Sequence, residues 1–240
     1  MQTTVRSAPV SFAAPRPTSL VFGIGALAAV VATQVYAIST SPAESDMGHL
    51  QKIMYVHVPA AWMTFLAFFV VLVFSVKYMW KRDENDDLLA ASAAEVGALF
   101  NGLTLALGML WGKPTWGVWW VWDARLTSTL VLFLIFVSYL ALRAFVDDHE
   151  QRARWSAAVG AFGALNVPIV YMSVKWWRTL HQMQSNPSTV DPEYVIGLRT
   201  NGIAILLLLI YFIVKRYRAA RMERLSEHLA ESAALEGRRA

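Results

Sequence analysis

The residues whose types and spacing point most directly to chemistry lie between 111 and 128. The run Trp111-Gly-Lys-Pro-Thr-Trp-Gly-Val-Trp-Trp-Val-Trp-Asp-Ala-Arg-Leu-Thr-Ser128 places five tryptophans within twelve residues. Read as a short helix after Pro114, at 100° per residue, it puts Trp116, Trp119, Trp120 and Asp123 within one arc of about 100°, with Trp122 and Arg125 on the other side. Such a helix is expected to lie in a membrane surface rather than cross it. Its face would be a flat aromatic shelf with a carboxylate at one end, a platform for a large, flat, apolar ligand with a charged edge. Tryptophan is also enriched at membrane interfaces for reasons unrelated to any ligand. An interfacial belt, however, has no need of clustering in one segment or of interleaved Gly, Asp and Arg.

The pattern WGxxxWGxWWxWDxRLTS resembles the tryptophan-rich WWD signature of the haem-handling proteins. With six apparent spans and flanking histidines, it is most similar to the haem exporter C family of the system I cytochrome c maturation pathway. The resemblance runs from the first span to the last and weakens in the N-terminal tail and beyond Val214.

In this context two of the five histidines stand out. His57 lies in Tyr55-Val-His-Val-Pro59, just before an apolar span, and His181 lies in Lys175-Trp-Trp-Arg-Thr-Leu-His-Gln182, just after another. Neutral imidazole is a good axial ligand for haem iron, and two of them complete six-coordination on either side of the ring. The resemblance implies that role for His57 and His181, which are expected on different helices facing each other across the shelf. The cofactor implied is a non-covalently and transiently held haem b. His49 lies outside the matching context, and His149 and His228 are expected at the opposite membrane surface. A zinc site would need at least one more nitrogen or sulfur ligand. Haem propionates call for a nearby cation, because an unpartnered buried carboxylate is costly. Arg125, the motif's arginine, and Arg178 lead, followed by Lys52 and Lys113. Asp123, the motif's acidic residue, is expected to orient Arg125 or the indole N–H groups.

The elements that must position these residues are membrane helices. The 240-residue chain is 56% hydrophobic and 16% charged, against about 45–50% and about 25% in soluble domains. A soluble enzyme, a nucleic-acid binder and a disordered chain are all poor readings of that composition. Zero cysteines exclude disulfides, zinc–thiolate sites, iron–sulfur clusters and a thiol nucleophile within the chain. A spanning helix takes roughly 20 apolar residues, and six such stretches are read, near 19–38, 60–80, 88–110, 126–146, 156–174 and 198–214. The expected fold is an all-α integral membrane protein with six transmembrane helices and a periplasmic tryptophan-rich surface segment at 111–128. Residues 1–18 read as a cytoplasmic tail, 19–214 as the haem-handling domain and 215–240 as a charged cytoplasmic tail continuing the last helix. Glu95 interrupts the third span and is an intramembrane carboxylate. Asn101 and Asn166 are expected to make interhelical hydrogen bonds.

Orientation follows from lysine and arginine. Of the 21 cations, 15 fall on the side that holds both termini and six (Lys52, Lys113, Arg125, Lys175, Arg178 and Arg199) on the other. Both termini are therefore expected in the cytoplasm of a bacterium, with the protein multi-pass in its inner membrane. Seven of the ten tryptophans then lie in the three external segments 39–59, 111–125 and 175–197.

The resulting reading is a haem-binding and transfer platform at the periplasmic face rather than an enzyme. The resemblance implies delivery of haem to a membrane-anchored periplasmic haem chaperone. It also implies partnership with an ABC-type ATPase, its membrane subunit and a small single-span protein, since no nucleotide-binding signature is present here. The rivals are a haem-b membrane oxidoreductase, which normally needs mid-span histidines, a full synthase, which in the wider family is a much longer chain, and a permease with broken, charged helices.

The charge split makes a topological prediction. Single cysteines at Ser45 and Ser185 should react with a membrane-impermeant thiol reagent from the periplasmic side, and one at Ser226 should not. Labelling of Ser226→Cys in intact spheroplasts would invert the orientation.

Overall fold

The computed structural model describes residues 17–183, 185 and 189–237. Most of the 1–18 tail, including Arg6 and Arg16, lies outside the described residues, as do Arg238 and Arg239. The chain forms α1 (Pro17–Thr40), α2 (Met54–Lys81), α3 (Glu84–Trp116), α4 (Ala124–Phe145), α5 (His149–Gly163), α6 (Asn166–Trp176) and α7 (Pro192–Gly237), with one 3₁₀ turn, His49–Ile53, leading into α2. No strand occurs among the described residues. Six helical stretches are long and apolar enough to cross a membrane, as the sequence predicts, with α5 and α6 together forming the fifth.

Helix starts fall earlier than the apolar runs because polar caps extend them. Asp83 accepts from the Asn85 N–H at 2.9 Å, and Glu84, Asp86 and Asp87 fill the first turn of α3, where the helix dipole favours acidic groups. Asp148 caps α5 in the same way through the Gln151 N–H at 2.7 Å. In α2, Pro59 has no N–H to offer Tyr55, and the freed Tyr55 carbonyl instead accepts from the Gln34 side chain of α1 at 3.1 Å. The α7 helix runs through Gly237, beyond the end of its apolar stretch at Val214.

The core sits where α2, α3, α4 and α7 meet. Phe68 and Phe136 pack with ring centroids 3.8 Å apart. Gly97 of α3 makes that approach possible, since a Cβ there would lie 2.6 Å from the Phe136 ring. Asn201 of α7 donates to the Thr33 carbonyl at 3.1 Å and accepts from the Thr33 hydroxyl at 3.1 Å, latching α7 to α1. Asn166 donates to the Ser128 carbonyl at 2.9 Å, the interhelical bond expected of it. At the end of the bundle away from the tryptophans, α3 is pinned by ion pairs. Asp86 meets Lys77 of α2 at 2.7 Å. Asp87 takes both guanidinium nitrogens of Arg143 of α4, at 2.5 and 2.8 Å. Glu95 meets Arg216 of α7 at 2.5 Å, so the carboxylate that interrupts the third span is an interhelical partner.

Breaking a buried pair from one side leaves an uncompensated charge and costs about 3–5 kcal/mol. Arg143→Met should therefore lower the thermal unfolding midpoint in detergent sharply. Arg143→Met/Asp87→Leu should recover most of the loss. A single variant as stable as the parent would show that the pair carries no packing role.

Candidate functional site

The tryptophan segment does not fold as a surface helix. Helix α3 accommodates Pro114 in its last turn and continues through Trp116. Gly117 ends it, in the left-handed region at φ 78°, with its N–H donating to the Lys113 carbonyl at 3.0 Å. Residues 118–123 are then irregular, and α4 starts at Ala124. The expected single face of Trp116, Trp119, Trp120 and Asp123 is therefore not formed. Trp116 belongs to the end of α3, while Trp119, Trp120 and Trp122 belong to a loop.

What the fold builds instead is a cavity of about 250 Å³ between α2, α3, α4 and α6. Trp111, Trp116 and Trp120 line it, together with His57, His181 and Arg125. Trp119 and Trp122 do not; they are 54% and 75% exposed. Trp122 packs edge-on against Trp120 with centroids 5.5 Å apart. Arg178 and Lys113 are exposed and, like the half-buried Lys52, outside the cavity lining; the Lys52 and Lys113 ammonium groups bond to the Ile38 and Gly117 carbonyls at 2.7 and 2.9 Å. Among the expected cations, only Arg125 reaches the cavity.

His57 sits in the first turns of α2, buried, with Trp111 edge-on at 5.7 Å between centroids. Gly108 of α3 leaves room for it, since a Cβ there would stand 3.3 Å from the His57 ring. His181 is not on a helix but in the irregular segment after α6. Its placement comes from Asp123. One carboxylate oxygen of Asp123 caps α4 by accepting the Leu126 N–H at 2.9 Å. The other accepts from the Thr179 hydroxyl and from the Leu180 N–H at 3.1 Å. The Thr179 hydroxyl oxygen in turn accepts the His181 N–H at 3.1 Å. Asp123 thus positions a histidine, where its place in the motif suggests that it orients Arg125 or the indoles.

The two imidazole centroids lie 6.3 Å apart, with the ring planes tilted by 36°. Two imidazoles bonded at about 2 Å to one shared metal ion have ring centres roughly 6 Å apart. The His181 Nδ1 is 2.8 Å from the Gln182 carbonyl, which can only accept. Nδ1 therefore carries the proton, and Nε2 keeps its lone pair. Burial, with the Arg125 guanidinium adding to it, pushes the His181 imidazole below the usual histidine range, so it stays neutral. Arg125 donates to the Val170 carbonyl of α6 at 2.5 Å, which holds its charge at the cavity wall.

The lining also contains buried polar atoms without partners: His57 Nδ1, the Trp111 and Trp120 indole N–H groups, and both amide atoms of Asn101. Buried polar groups are normally satisfied, and five orphans around one cavity mark a site suited to a polar-edged ligand. Asn101 is fully buried. The sequence predicts a bond from it to a neighbouring helix, but α3 turns it toward the cavity, seven residues and about 10 Å inward of Gly108. Trp62, also in the lining, escaped the sequence reading. Its signal is its place among His57, Val58, Ala61 and Phe65, on one helical stripe of α2.

These residues fit an iron macrocycle: two facing imidazoles, indole walls, one cation and further hydrogen-bonding atoms. The family model described as heme exporter protein C matches residues 6–232. The chain belongs to the heme exporter protein C family. It is 38% identical to heme exporter protein C of Bradyrhizobium diazoefficiens over 206 residues, covering 84% of this chain and 78% of that one. It is 39% identical to heme exporter protein C of Escherichia coli strain K12 over 189 residues, covering 76% of each. A putative cytochrome c biosynthesis ccmC-like mitochondrial protein of Arabidopsis thaliana is 32% identical over 160 residues, covering 66% of this chain and 60% of its own length. The family match spans every element that lines the cavity, from α2 to the segment carrying His181.

Asp123 gives the site its own test. Asp123→Ala should loosen both the α4 cap and the His181 segment, since losing the cap alone costs about 0.5–2 kcal/mol. Thr179→Val should reproduce the effect on His181 without removing the cap. Amide exchange protection at Leu180 and His181 reads the effect on the His181 segment, and protection at Leu126 reads the cap. Unchanged protection at Leu180 and His181 in Asp123→Ala would refute the tether.

Proposed function

We propose that this protein binds haem b, non-covalently, between His57 and His181 at the periplasmic face of a bacterial inner membrane. It then delivers the haem to a membrane-anchored periplasmic chaperone for cytochrome c maturation. The observation that carries this reading is the convergence of two histidines from distant parts of the chain, 6.3 Å apart, in an indole-lined cavity beside Arg125. Membership of the heme exporter protein C family supports it. His57 and His181 would hold a bound haem through its iron. Arg125 offers the cation for a propionate, and Trp111, Trp116 and Trp120 offer flat apolar walls. The cavity is smaller than the roughly 300–1,000 Å³ typical of enclosed ligand sites. Part of a macrocycle held there would therefore project outward, past the exposed Trp119 and Trp122, where a partner can meet it. Export chemistry that needs ATP falls to an ABC-type ATPase and its membrane subunit, and a small single-span protein completes the assembly. His49, His149, His228 and Arg178 have no part in holding haem on this reading.

The test is haem content and absorption spectrum of the purified protein. Replacing either His57 or His181 by Ala should leave a haem with an altered spectrum and weaker retention, and replacing both should remove most of it. Trp120→Ala should keep the bis-histidine spectrum at lower occupancy. An aromatic contact contributes about 0.5–1.5 kcal/mol beyond burial, or roughly a two- to tenfold loss of affinity. Trp119→Ala should keep occupancy but lower adduct formation with the chaperone. Because the imidazole of His181 titrates below the usual histidine range, retention should stay flat from pH 8 to about 6.5 and fall only under stronger acidification. A double histidine variant with an unchanged spectrum would place the iron ligands elsewhere.

A further inference from the structure

At the opposite end of the bundle a second cleft of about 250 Å³ opens between the start of α1 and the middle of α7. Its walls include Thr18, Ser19 and Phe22 of α1 and Tyr211, Lys215 and Arg218 of α7. Positions 211, 215 and 218 share one face of α7 by helical spacing. The cleft is framed by a close approach of the two helices: a Cβ on Gly23 would lie 2.4 Å from the Tyr211 ring. Phe22 and Tyr211 stand 6.3 Å apart between centroids and form its apolar wall.

The cations of this region divide into two sets. Arg216 is bound to Glu95 and Glu223, and Arg224 to Glu84 and Glu227. Lys215 and Arg218, the two that face the cleft, have no carboxylate partner among the described residues. The chain before α1 brings none, since its first acidic residue is Glu44. Lys215 follows directly on the apolar run that ends at Val214, and so sits at the depth where a span meets the headgroups. An unneutralised ammonium and guanidinium, a hydroxyl from Thr18 and an aromatic wall running toward the hydrocarbon make up one recognition pattern. Basic pockets between membrane helices take anionic headgroups in this way.

We propose that this cleft binds the phosphate of one anionic phospholipid. Lys215 and Arg218 contact the phosphodiester oxygens, and Phe22 and Tyr211 hold the glycerol and the first acyl carbons. The lipid bridges α1 to α7 at the end of α1 away from the Asn201–Thr33 latch. Free inorganic phosphate shares the charge but has no use for the apolar wall. A zwitterionic headgroup shares the tails but carries its own ammonium, which the two cations disfavour.

The experiment uses the full chain in nanodiscs and detergent, with lipid adducts counted by native mass spectrometry and unfolding followed thermally. The parent should retain phosphatidylglycerol over phosphatidylcholine by about tenfold and gain thermal stability from phosphatidylglycerol alone. Lys215→Gln/Arg218→Gln should bring the ratio close to one and abolish the gain, while Arg221→Gln should match the parent. If the double variant does not fold, the Lys215→Gln single variant should reduce the ratio partway. Equal retention of the two lipids by the parent, or an undiminished ratio in the folded variants, overturns the proposal. So does stabilisation by inorganic phosphate equal to that by phosphatidylglycerol. None of these outcomes depends on haem.

Discussion

The site depends on where one carboxylate puts its two oxygens. Asp123 closes the N-terminus of α4 with one and gathers Thr179 and Leu180 with the other. That single group fixes three things at once. It ends the irregular tryptophan loop, it starts the helix whose second residue is Arg125, and it anchors the segment that carries His181. Charge-assisted bonds of this kind are stronger than neutral ones, and nothing else as strong holds 177–181 to the bundle among the described residues. His57 needs no such device. It rides on α2, whose register is set by the core and by the Gln34 bond to the Tyr55 carbonyl. The two histidines are therefore held by different means, one by a helix and one by a tether.

The two ends of the bundle differ in how their polar groups are satisfied. At the end away from the tryptophans, α3 is joined to α2, α4 and α7 by ion pairs through Asp86, Asp87 and Glu95. Each of these sets register, because a one-turn slip would strand a charge. At the tryptophan end, unpartnered indole, imidazole and amide atoms surround a cavity. Helix α3 thus has one end joined to its neighbours by ion pairs and one that borders a cavity. That asymmetry follows from its sequence, acidic in the first turn and tryptophan- and glycine-rich in the last.

The six spans were legible because a water-soluble chain seldom carries predominantly apolar stretches of about twenty residues, and this one carries six. His57 and His181 were legible as outliers beside such spans, and Arg125 through its motif. The tryptophan loop departs from the helix that its spacing predicts for a physical reason. Pro114 suggests a break, but a proline in a final helical turn removes only one hydrogen bond, and it was Gly117 that stopped the helix. Which indoles face inward was not legible at all. In a chain this apolar, lipid and core both accept hydrophobic faces, so periodicity cannot separate Trp120 from Trp119, or place Trp62. Asn101 departs from the interhelical bond expected of it because an amide in a span has two ordinary fates, a neighbouring helix or a cavity, and sequence shows only that it needs one. The Thr179–Asp123 contact joins residues 56 apart through a loop, a separation that no local pattern reports.

On the proposed reading, the unequal mounting of the two histidines bears on release. Withdrawing His57 from a bound iron would mean displacing the buried first turns of α2, with Trp111 and Gly108 packed against the ring. Withdrawing His181 requires only that hydrogen bonds to one carboxylate and one hydroxyl be given up in a segment without regular structure. A partner approaching Trp119 and Trp122 meets the same loop that ends in Asp123. On that reading His181, held by the tether, would be given up more easily than His57, held by the helix.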